Sequence, residues 1–253
     1  MDEPLSPWPS PPGPVELAAG EVHVWCAALD RPPEQIAALA AVLSPDEREQ
    51  VARYRLTAVS EQYRVSRALL RVLLGRYLDC DPSRLELRQG PQGKPALAGP
   101  APLSFNVSHS FGVALFAVRA GGEVGVDLER VRPFQNDLGL AERFFSAAEA
   151  AALRALGEDR REAFFHVWTR KEAYLKANGL GVTGGMERVE VSVPPDDPPR
   201  VLRIDGDESR AQRWALRALL PLPGYVGALA LEGHDYRLSC WRLDDILSSP
   251  ARR

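Results

Sequence analysis

The order in which helix-like and strand-like segments follow one another is the feature that most restricts the fold of this chain. Residues 57–78 repeat apolar side chains at helical spacing, and several short strand-like segments with turn residues between them follow. The same order returns after residue 146, where helical segments precede strand-like segments that continue to residue 241. Helices grouped apart from runs of short strands favour an α+β fold over a sheet with regular βα alternation.

Two helix starts carry the same capping signal. Ser44 is followed three residues later by Glu47, and Ser146 by Glu149, which matches the capping box in which serine and glutamate satisfy each other's backbone amides. The strand-like residues 112–118 and 225–231 also share an apolar pattern. The similarity of these two strand-like segments hints at two related lobes.

The predicted helix over residues 57–78 carries a row of arginines. Arg64, Arg67 and Arg71 are spaced i, i+3 and i+7, which places them on one helical face. Such a row forms either a solvated surface or a surface that faces phosphate groups. The sequence alone leaves both interpretations open.

The charge balance limits the partners of this chain. Its 253 residues contain 31 Lys and Arg against 34 Asp and Glu, a formal net charge of −3. This excludes a strongly basic nucleic-acid binder, and charge-based recognition must be local. No apolar run approaches the ~20 residues of a membrane span, and no signal peptide is visible. We therefore expect a soluble, cytoplasmic protein that binds neither nucleic acid nor membrane. We also expect a monomer.

The first candidate site segment is residues 125–129 (GVDLE). In a strand, residues i and i+2 point to the same face, so Asp127 and Glu129 project side by side while Val126 and Leu128 point into a core. A polar outer strand face would explain this alternation. Adjacent carboxylates also repel each other unless a cation or proton lies between them, so a metal site is the alternative.

The second segment is residues 168–177 (WTRKEAYLKA). At helical spacing, Glu172 falls in one stripe with the large apolar residues Phe165, Trp168 and Leu175. A charged group there needs a partner. Lys176 lies one turn later, so the segment holds either an ordinary i, i+4 Glu–Lys pair or a functional carboxylate and lysine.

The third segment is residues 104–110 (SFNVSHS), where a strand ends in small polar residues and a histidine. Ser108, His109 and their backbone amides are suited to binding phosphate, and a plain strand-end turn fits equally well. No His or Cys spacing indicates a transition-metal site. Residues 179–184 match GxGxxG but follow a helix rather than a strand, which argues against a dinucleotide site.

Together and in this order, these segments resemble the 4′-phosphopantetheinyl transferase superfamily, in its two-lobed, Sfp-type branch. The resemblance is carried by Gly93, Lys94 and Pro95 with residues 105–110, by residues 125–129, and by residues 168–177 with Gly179 and Gly181. One such motif would be weak evidence. Three in a suitable order over residues 44–184 are specific.

The resemblance implies an α+β fold of two similar lobes related by a pseudo-twofold axis, with the active site in the cleft between them. After a proline-rich tail over residues 1–14, the N-terminal lobe would span residues 15–122 and contact the coenzyme A nucleotide. The C-terminal lobe, residues 123–253, would carry the metal site and the catalytic helix.

The implied activity is transfer of 4′-phosphopantetheine from coenzyme A to a serine of an apo acyl or peptidyl carrier protein, with release of adenosine 3′,5′-bisphosphate. Mg²⁺ is the implied cofactor, with Mn²⁺ as a substitute, and such carriers serve fatty-acid, polyketide or nonribosomal-peptide synthesis. Two alternatives stay open. One is a metal-dependent nucleotide phosphodiesterase or pyrophosphatase, and the other is a carrier-binding module without catalysis.

Motif matching assigns roles to the residues of the three segments. Asp127, Glu129 and Glu172 would bind the metal through hard oxygen ligands, which suit Mg²⁺. The implied catalytic set is Asp127, Glu172 and Lys176, in which Lys176 approaches the phosphates and Glu172 orients or deprotonates the attacking serine. Ser108 and His109 would contact coenzyme A phosphates.

The residues that would bind the coenzyme A nucleotide depart from the family pattern at one place. Gly93, Lys94 and Pro95 would line the nucleotide site. Many relatives also place a basic residue near the 3′-phosphate, in the stretch that reads TAVS at residues 57–60 here. The substitutes that this chain offers for that basic residue are Arg48, Arg64 and Arg67.

Overall fold

The computed structural model describes residues 8–13, 15–90, 93–179, 185–193 and 198–243. Part of the predicted proline-rich tail, the turn residues 91–92, Gly181 and residues 194–197 lie outside this range. The strands are β1 (Glu21–Ala28), β2 (Leu87–Gln89), β3 (Pro95–Leu97), β4 (Leu103–Ser110), β5 (Val113–Ala120), β6 (Val124–Arg130), β7 (Val189–Val191), β8 (Val201–Ile204), β9 (Trp214–Leu219), β10 (Tyr225–Glu232) and β11 (Arg237–Arg242). The helices are α1 (Pro33–Ala40), α2 (Pro45–Arg53), α3 (Thr57–Tyr77), α4 (Asp137–Phe144), α5 (Ala147–Ala155), α6 (Arg160–Ala177) and α7 (Glu208–Ala211).

The element order repeats along the chain, and the expected α+β class is confirmed. In the first half, β1 leads through α2 and α3 to the hairpin β2–β3, and then to β4 and β5. In the second half, β6 leads through α5 and α6 to the hairpin β7–β8, and then to β9 and β10. The sheets also correspond, with strand orders β1–β5–β4 and β6–β10–β9.

The last strand crosses from one half to the other. β11 extends the first sheet by pairing parallel to β1, with Glu21 opposite Arg237 and Cys26 opposite Arg242. Strand β11 therefore belongs to the sheet of the first half, although the expected boundaries assign all of residues 123–253 to the second lobe. Its parallel pairing depends on residues more than 200 positions apart, which no local pattern reveals.

Three large apolar clusters hold the fold together. The first lies between α3 and the first sheet and includes Trp25 and Leu69. The second packs α6 against the second sheet, with Phe165 and Ala228 among its members. The third joins strands of both sheets through residues such as Val24, Leu115 and Val126. Residues 126 and 128 are thus buried in a core, as the alternation of residues 125–129 predicts.

Both predicted capping boxes are confirmed, and each glutamate has a second role. The Ser44 hydroxyl accepts from the Glu47 amide, and Ser146 does the same for Glu149. Glu47 forms a buried ion pair with Arg71 of α3, at 2.5 Å between Nε and Oε2. Glu149 pairs with the fully buried Lys171 of α6, at 2.6 Å between Nζ and Oε2.

Arg71 is only 1% exposed, so it lies neither on a solvated surface nor on a surface that faces phosphate groups, the two interpretations of the arginine row. Its Nη1 donates to the carbonyls of Pro82 and Leu85, at 3.0 and 2.9 Å. The helix pattern placed Arg71 on one face of α3, but it gave no information about the glutamate that meets this face.

Within the described residues, no helix is sufficiently long and apolar to span a membrane.

Candidate active site

Strand β6 and helix α6 approach each other closely at Gly125. A Cβ atom on this residue would lie 2.0 Å from the carbonyl oxygen of Ala173 and 2.4 Å from the amide nitrogen of Ala177. Only glycine permits this contact. Because Asp127 and Glu129 share the strand face of Gly125, they are directed toward the surface of α6 that carries Glu172 and Lys176.

Lys176 is bound to Asp127 rather than to the glutamate one turn before it. Its Nζ donates to Asp127 Oδ1 at 2.6 Å and to the Ser108 hydroxyl at 3.0 Å. The Asp127 residue is 5% exposed. Lys176 therefore links α6 to β6 through Asp127 and does not form the ordinary i, i+4 pair with Glu172.

Glu172 is a buried carboxyl beside two others. Its pKa is raised to about 7, because burial disfavours the charged form and the charge of Asp127 repels it, with a smaller repulsion from Glu129 and opposition from Lys176. The pKa of Glu129 is also raised, chiefly by burial. The structure thus brings the three sequence-predicted carboxylates and the lysine into one electrostatic group.

Strand β4 is joined to β6 by alternate polar side chains. Asn106, Ser108 and Ser110 accept hydrogen bonds from the amides of residues 126, 128 and 130, at 2.9, 3.3 and 3.2 Å. Ser108 also donates to Asp127 Oδ1 at 2.7 Å, and Ser110 donates to Glu129 Oε2 at 2.9 Å. Sequence analysis missed Asn106 and Ser110, although the i, i+2, i+4 spacing of small polar residues was a usable signal.

The donor set fits a hard divalent cation, although the described residues contain no preformed cluster of three His, Cys, Asp or Glu side chains with metal-binding geometry. Two buried oxygens, Asp127 Oδ2 and Glu172 Oε1, have no hydrogen-bond partner in the described structure. Oxygens of this kind are costly to bury alone and are the ligands that Mg²⁺ prefers. The mutual repulsion of the carboxyls would be relieved by the same cation.

Ser108 and His109, the predicted phosphate contacts, have different surroundings. The Ser108 residue is 7% exposed, and its hydroxyl is engaged by Asp127, Lys176 and a β6 amide. His109 is exposed. The pKa of His109 is lowered by partial desolvation and then by the nearby Lys176 charge, so the ring is neutral near pH 7.

Lys94 connects the β2–β3 hairpin with the site elements. Its Nζ donates to Glu123 Oε2 at 2.7 Å, to the carbonyl of Val124 at 3.2 Å and to the carbonyl of Lys176 at 3.0 Å. A cation at this last carbonyl complements the C-terminal end of α6. Gly93 has φ +78°, which favours glycine, and Pro95 begins β3.

The three arginines predicted near the nucleotide separate into two groups. Arg67 pairs with Glu47, at 2.8 Å between Nη2 and Oε1. Arg48 and Arg64 line a surface pocket of about 400 Å³, together with apolar residues that include Leu43 and Val51. The structure therefore places two of the three arginines on a common cavity.

Strand β6 and helix α6 meet at Gly125, and they carry three electrostatically coupled carboxyls and one lysine. This arrangement defines an acidic site suited to chemistry on a phosphate ester. Comparison with known proteins specifies the family. Residues 30–120 match the family model described as 4′-phosphopantetheinyl transferase, N-terminal, and residues 123–230 match that of the 4′-phosphopantetheinyl transferase superfamily.

Individual relatives extend this similarity over most of the chain. The 4′-phosphopantetheinyl transferase HetI of Nostoc sp. is 36% identical over 237 residues, which cover 92% of this chain and 96% of the relative. A phosphopantetheinyl transferase of Thraustochytrium sp. is 30% identical, covering 88% of this chain and 81% of its own. The 4′-phosphopantetheinyl transferase psf-1 of Bacillus pumilus is 30% identical, covering 70% and 74%. The chain belongs to the 4′-phosphopantetheinyl transferase superfamily.

Proposed function

We propose that this protein transfers 4′-phosphopantetheine from coenzyme A to a serine of an apo acyl or peptidyl carrier protein, as a member of the Sfp-type branch. The observation that carries the proposal is the meeting of Asp127, Glu129, Glu172 and Lys176 between β6 and α6. The near full-length similarity to HetI, itself named as a 4′-phosphopantetheinyl transferase, supports it.

Asp127, Glu129 and Glu172 would hold Mg²⁺, or Mn²⁺ as a substitute. When bound, the cation supplies positive charge that lets a pyrophosphate approach three carboxyls. The support is the pair of partnerless buried oxygens on Asp127 and Glu172. Lys176 would add a donor for the phosphate oxygens, while Asp127 and Ser108 hold its Nζ in place.

Glu172 is suited to act on the acceptor serine. Without a bound cation the pKa of Glu172 is raised to about 7, so this carboxyl takes up a proton near neutral pH more readily than an ordinary glutamate. The serine oxygen forms a bond to the β-phosphorus of coenzyme A as the bond from that phosphorus to the departing adenosine 3′,5′-bisphosphate breaks. The serine proton goes to Glu172, so that charge and atoms balance.

The coenzyme A contacts belong mainly to the first half of the chain. Ser108 and His109 would meet the phosphates, and residues 93–95 would line the nucleotide site. Among the arginines, Arg48 and Arg64 are better candidates for the 3′-phosphate than Arg67, because Arg67 is already paired with Glu47. We infer two lobes divided near residue 122, with β11 returning to the first.

The test is intact-mass measurement of an apo carrier protein incubated with coenzyme A and Mg²⁺. One added phosphopantetheine is expected, and cleavage of coenzyme A without a carrier would instead favour a phosphodiesterase or pyrophosphatase. Asp127→Ala and Glu172→Gln should each lose at least ~100-fold in turnover while remaining folded. The exposed Glu158→Gln is the matched control and should retain activity. Near-normal turnover in either site variant would contradict the residue assignment.

A further inference from the structure

The turn between β4 and β5 places a large apolar side chain in an unfavourable position. Phe111 has φ +45° and the following Gly112 has φ +80°. Positive φ at two successive residues is what a type I′ hairpin turn requires, and asparagine followed by glycine is the favoured pair. Phe111 is also 54% exposed. Neither its backbone nor its burial explains a phenylalanine here, so a role outside the fold is indicated.

Two arginines flank this ring. The guanidinium carbons of Arg130 and Arg132 lie 5.6 and 5.3 Å from the centroid of Phe111. Both arginines are exposed, and the charge of Arg132 acts on the nearby Glu129 carboxyl. We call Phe111, Arg130 and Arg132 the aromatic–basic patch.

The aromatic–basic patch adjoins Glu129, one of the three carboxyls of the candidate site. Ser110, directly before Phe111, donates to Glu129 and accepts from the amide of Arg130. The carbonyl of Phe111 accepts from the Tyr225 hydroxyl at 2.7 Å, which fixes the turn against β10. A partner bound to the ring would therefore be held at a fixed position beside Glu129.

We propose that the aromatic–basic patch binds an acidic face of the carrier protein, next to the serine that receives phosphopantetheine. This inference rests on the proposed function. A chain with net charge −3 has no global attraction for an acidic partner, so the attraction must come from a local group of this kind. The ring lies at an exposed hairpin tip, whereas nucleotides bind in concave sites, so the patch fits a protein surface better than coenzyme A.

The test compares the KM for the carrier with the KM for coenzyme A. The carrier is whichever of an apo acyl carrier protein or an apo peptidyl carrier domain the wild-type protein modifies faster. Phe111→Asn should raise the carrier KM about 10-fold or more, as for loss of a central anchor, and leave the KM for coenzyme A within about 2-fold. Its thermal stability should match or exceed that of the wild type, because asparagine tolerates the turn.

Companion variants separate the ring from its charges. Phe111→Tyr keeps the ring and should retain most of the affinity for the carrier. Arg130→Gln combined with Arg132→Gln should raise the carrier KM about 5-fold and weaken its dependence on salt. Arg161→Gln, at an exposed arginine at the start of α6, is the charge control and should change neither KM.

The outcomes separate this proposal from the function on which it rests. A wild-type protein that modifies neither carrier would contradict the proposed function itself. Wild-type transfer with an unchanged carrier KM in Phe111→Asn would overturn the patch alone. A rise confined to the KM for coenzyme A would assign the ring to the nucleotide. A wild-type dimer that Phe111→Asn dissociates would assign it to a second copy of the chain.

Discussion

The two long helices, α3 and α6, are anchored by equivalent ion pairs but cover different surfaces. In each half, the capping-box glutamate of the preceding helix pairs with a buried cation, Arg71 in α3 and Lys171 in α6. Each cation also donates to two carbonyls at the 3₁₀ turn that precedes the following hairpin. These carbonyls belong to Pro82 and Leu85 in the first half and to Met186 and Val189 in the second.

The strand faces below the two helices differ in chemistry. Under α3, Tyr77 packs on β1, where its hydroxyl bonds to His23 Nδ1 at 2.7 Å and accepts from Trp25 Nε1 at 2.9 Å. Ala177 of α6, which follows Lys171 as Tyr77 follows Arg71, meets Gly125. Beyond that glycine, β6 carries Asp127 and Glu129, whereas the corresponding positions of β1 carry Trp25 and Ala27.

This difference shows how one arrangement serves two purposes. The ion pairs fix each helix relative to its neighbours without using the surface that faces the sheet. In the first half that surface is filled by aromatic packing. In the second half, small residues form the contact between helix and sheet, and carboxyls lie beyond it. A reactive site there takes the place of aromatic packing. We therefore expect mutations at the contact between α3 and its sheet to act mainly on stability, and mutations at the contact between α6 and its sheet to act on both stability and turnover.

Breaking the two ion pairs tests this contrast with the largest expected effect. Lys171→Met leaves the buried Glu149 without an ion-pair partner, which should lower the free energy of unfolding by about 3–5 kcal/mol. Arg71→Met should lower it by less, because Arg67 still pairs with Glu47. Chemical denaturation followed by circular dichroism measures this loss. Turnover per folded molecule should fall only in Lys171→Met, because α6 carries Glu172 and Lys176.

The double variants Arg71→Met/Glu47→Gln and Lys171→Met/Glu149→Gln are the controls. Lys171→Met/Glu149→Gln removes an uncompensated charge and should regain part of the lost stability. Arg71→Met/Glu47→Gln should regain less, because Arg67 still compensates Glu47 in Arg71→Met. An equal loss of turnover per folded molecule in Arg71→Met and Lys171→Met would contradict the idea that α6, and not α3, carries the catalytic groups.

The sequence predicted the helices and strands of the two halves better than it predicted which side chains pair between them. Capping boxes, the long helix and the alternation of residues 125–129 are local patterns, and each has its counterpart in the structure. The Glu47–Arg71 pair joins residues 24 positions apart, so helical spacing could not reveal it. Lys176 is one turn from Glu172 but binds Asp127, because the close contact at Gly125 brings β6 within its reach.

The next contrast concerns the pH dependence of stability. Burial and Asp127 raise the pKa of Glu172 from 4.5 to about 7, so the folded state retains a proton that the unfolded state has released. Without metal, stability should therefore fall as pH rises from about 4.5 to 7, by roughly 1.4 kcal/mol per unit and about 3 kcal/mol in all. Denaturation in EDTA should show this fall, and Glu172→Gln should remove most of it and leave the part that the raised pKa of Glu129 contributes.

Glu47 has the opposite effect on how stability changes with pH. Burial alone would raise the pKa of Glu47, but the hydrogen bonds from Arg71 and the Ser44 amide, with the charges of Arg67 and Arg71, hold it below its ordinary value. Its contribution is therefore present at neutral pH and lost as pH falls below that value. A Glu172→Gln protein whose stability declines as steeply as that of the wild type between pH 5 and pH 7 would place the largest pKa shift on another group.

The smallest expected effect comes from the serine caps, where the two halves should be alike. Ser44→Ala and Ser146→Ala each remove the hydroxyl that accepts from a glutamate amide, at 3.3 and 3.2 Å. Each should cost about 1 kcal/mol of unfolding free energy by chemical denaturation, with no change in the KM for coenzyme A. The glutamates remain held by Arg71 and Lys171, so neither long helix should shift. A loss well above 2 kcal/mol for either serine would mean that the cap, rather than the ion pair, positions that glutamate.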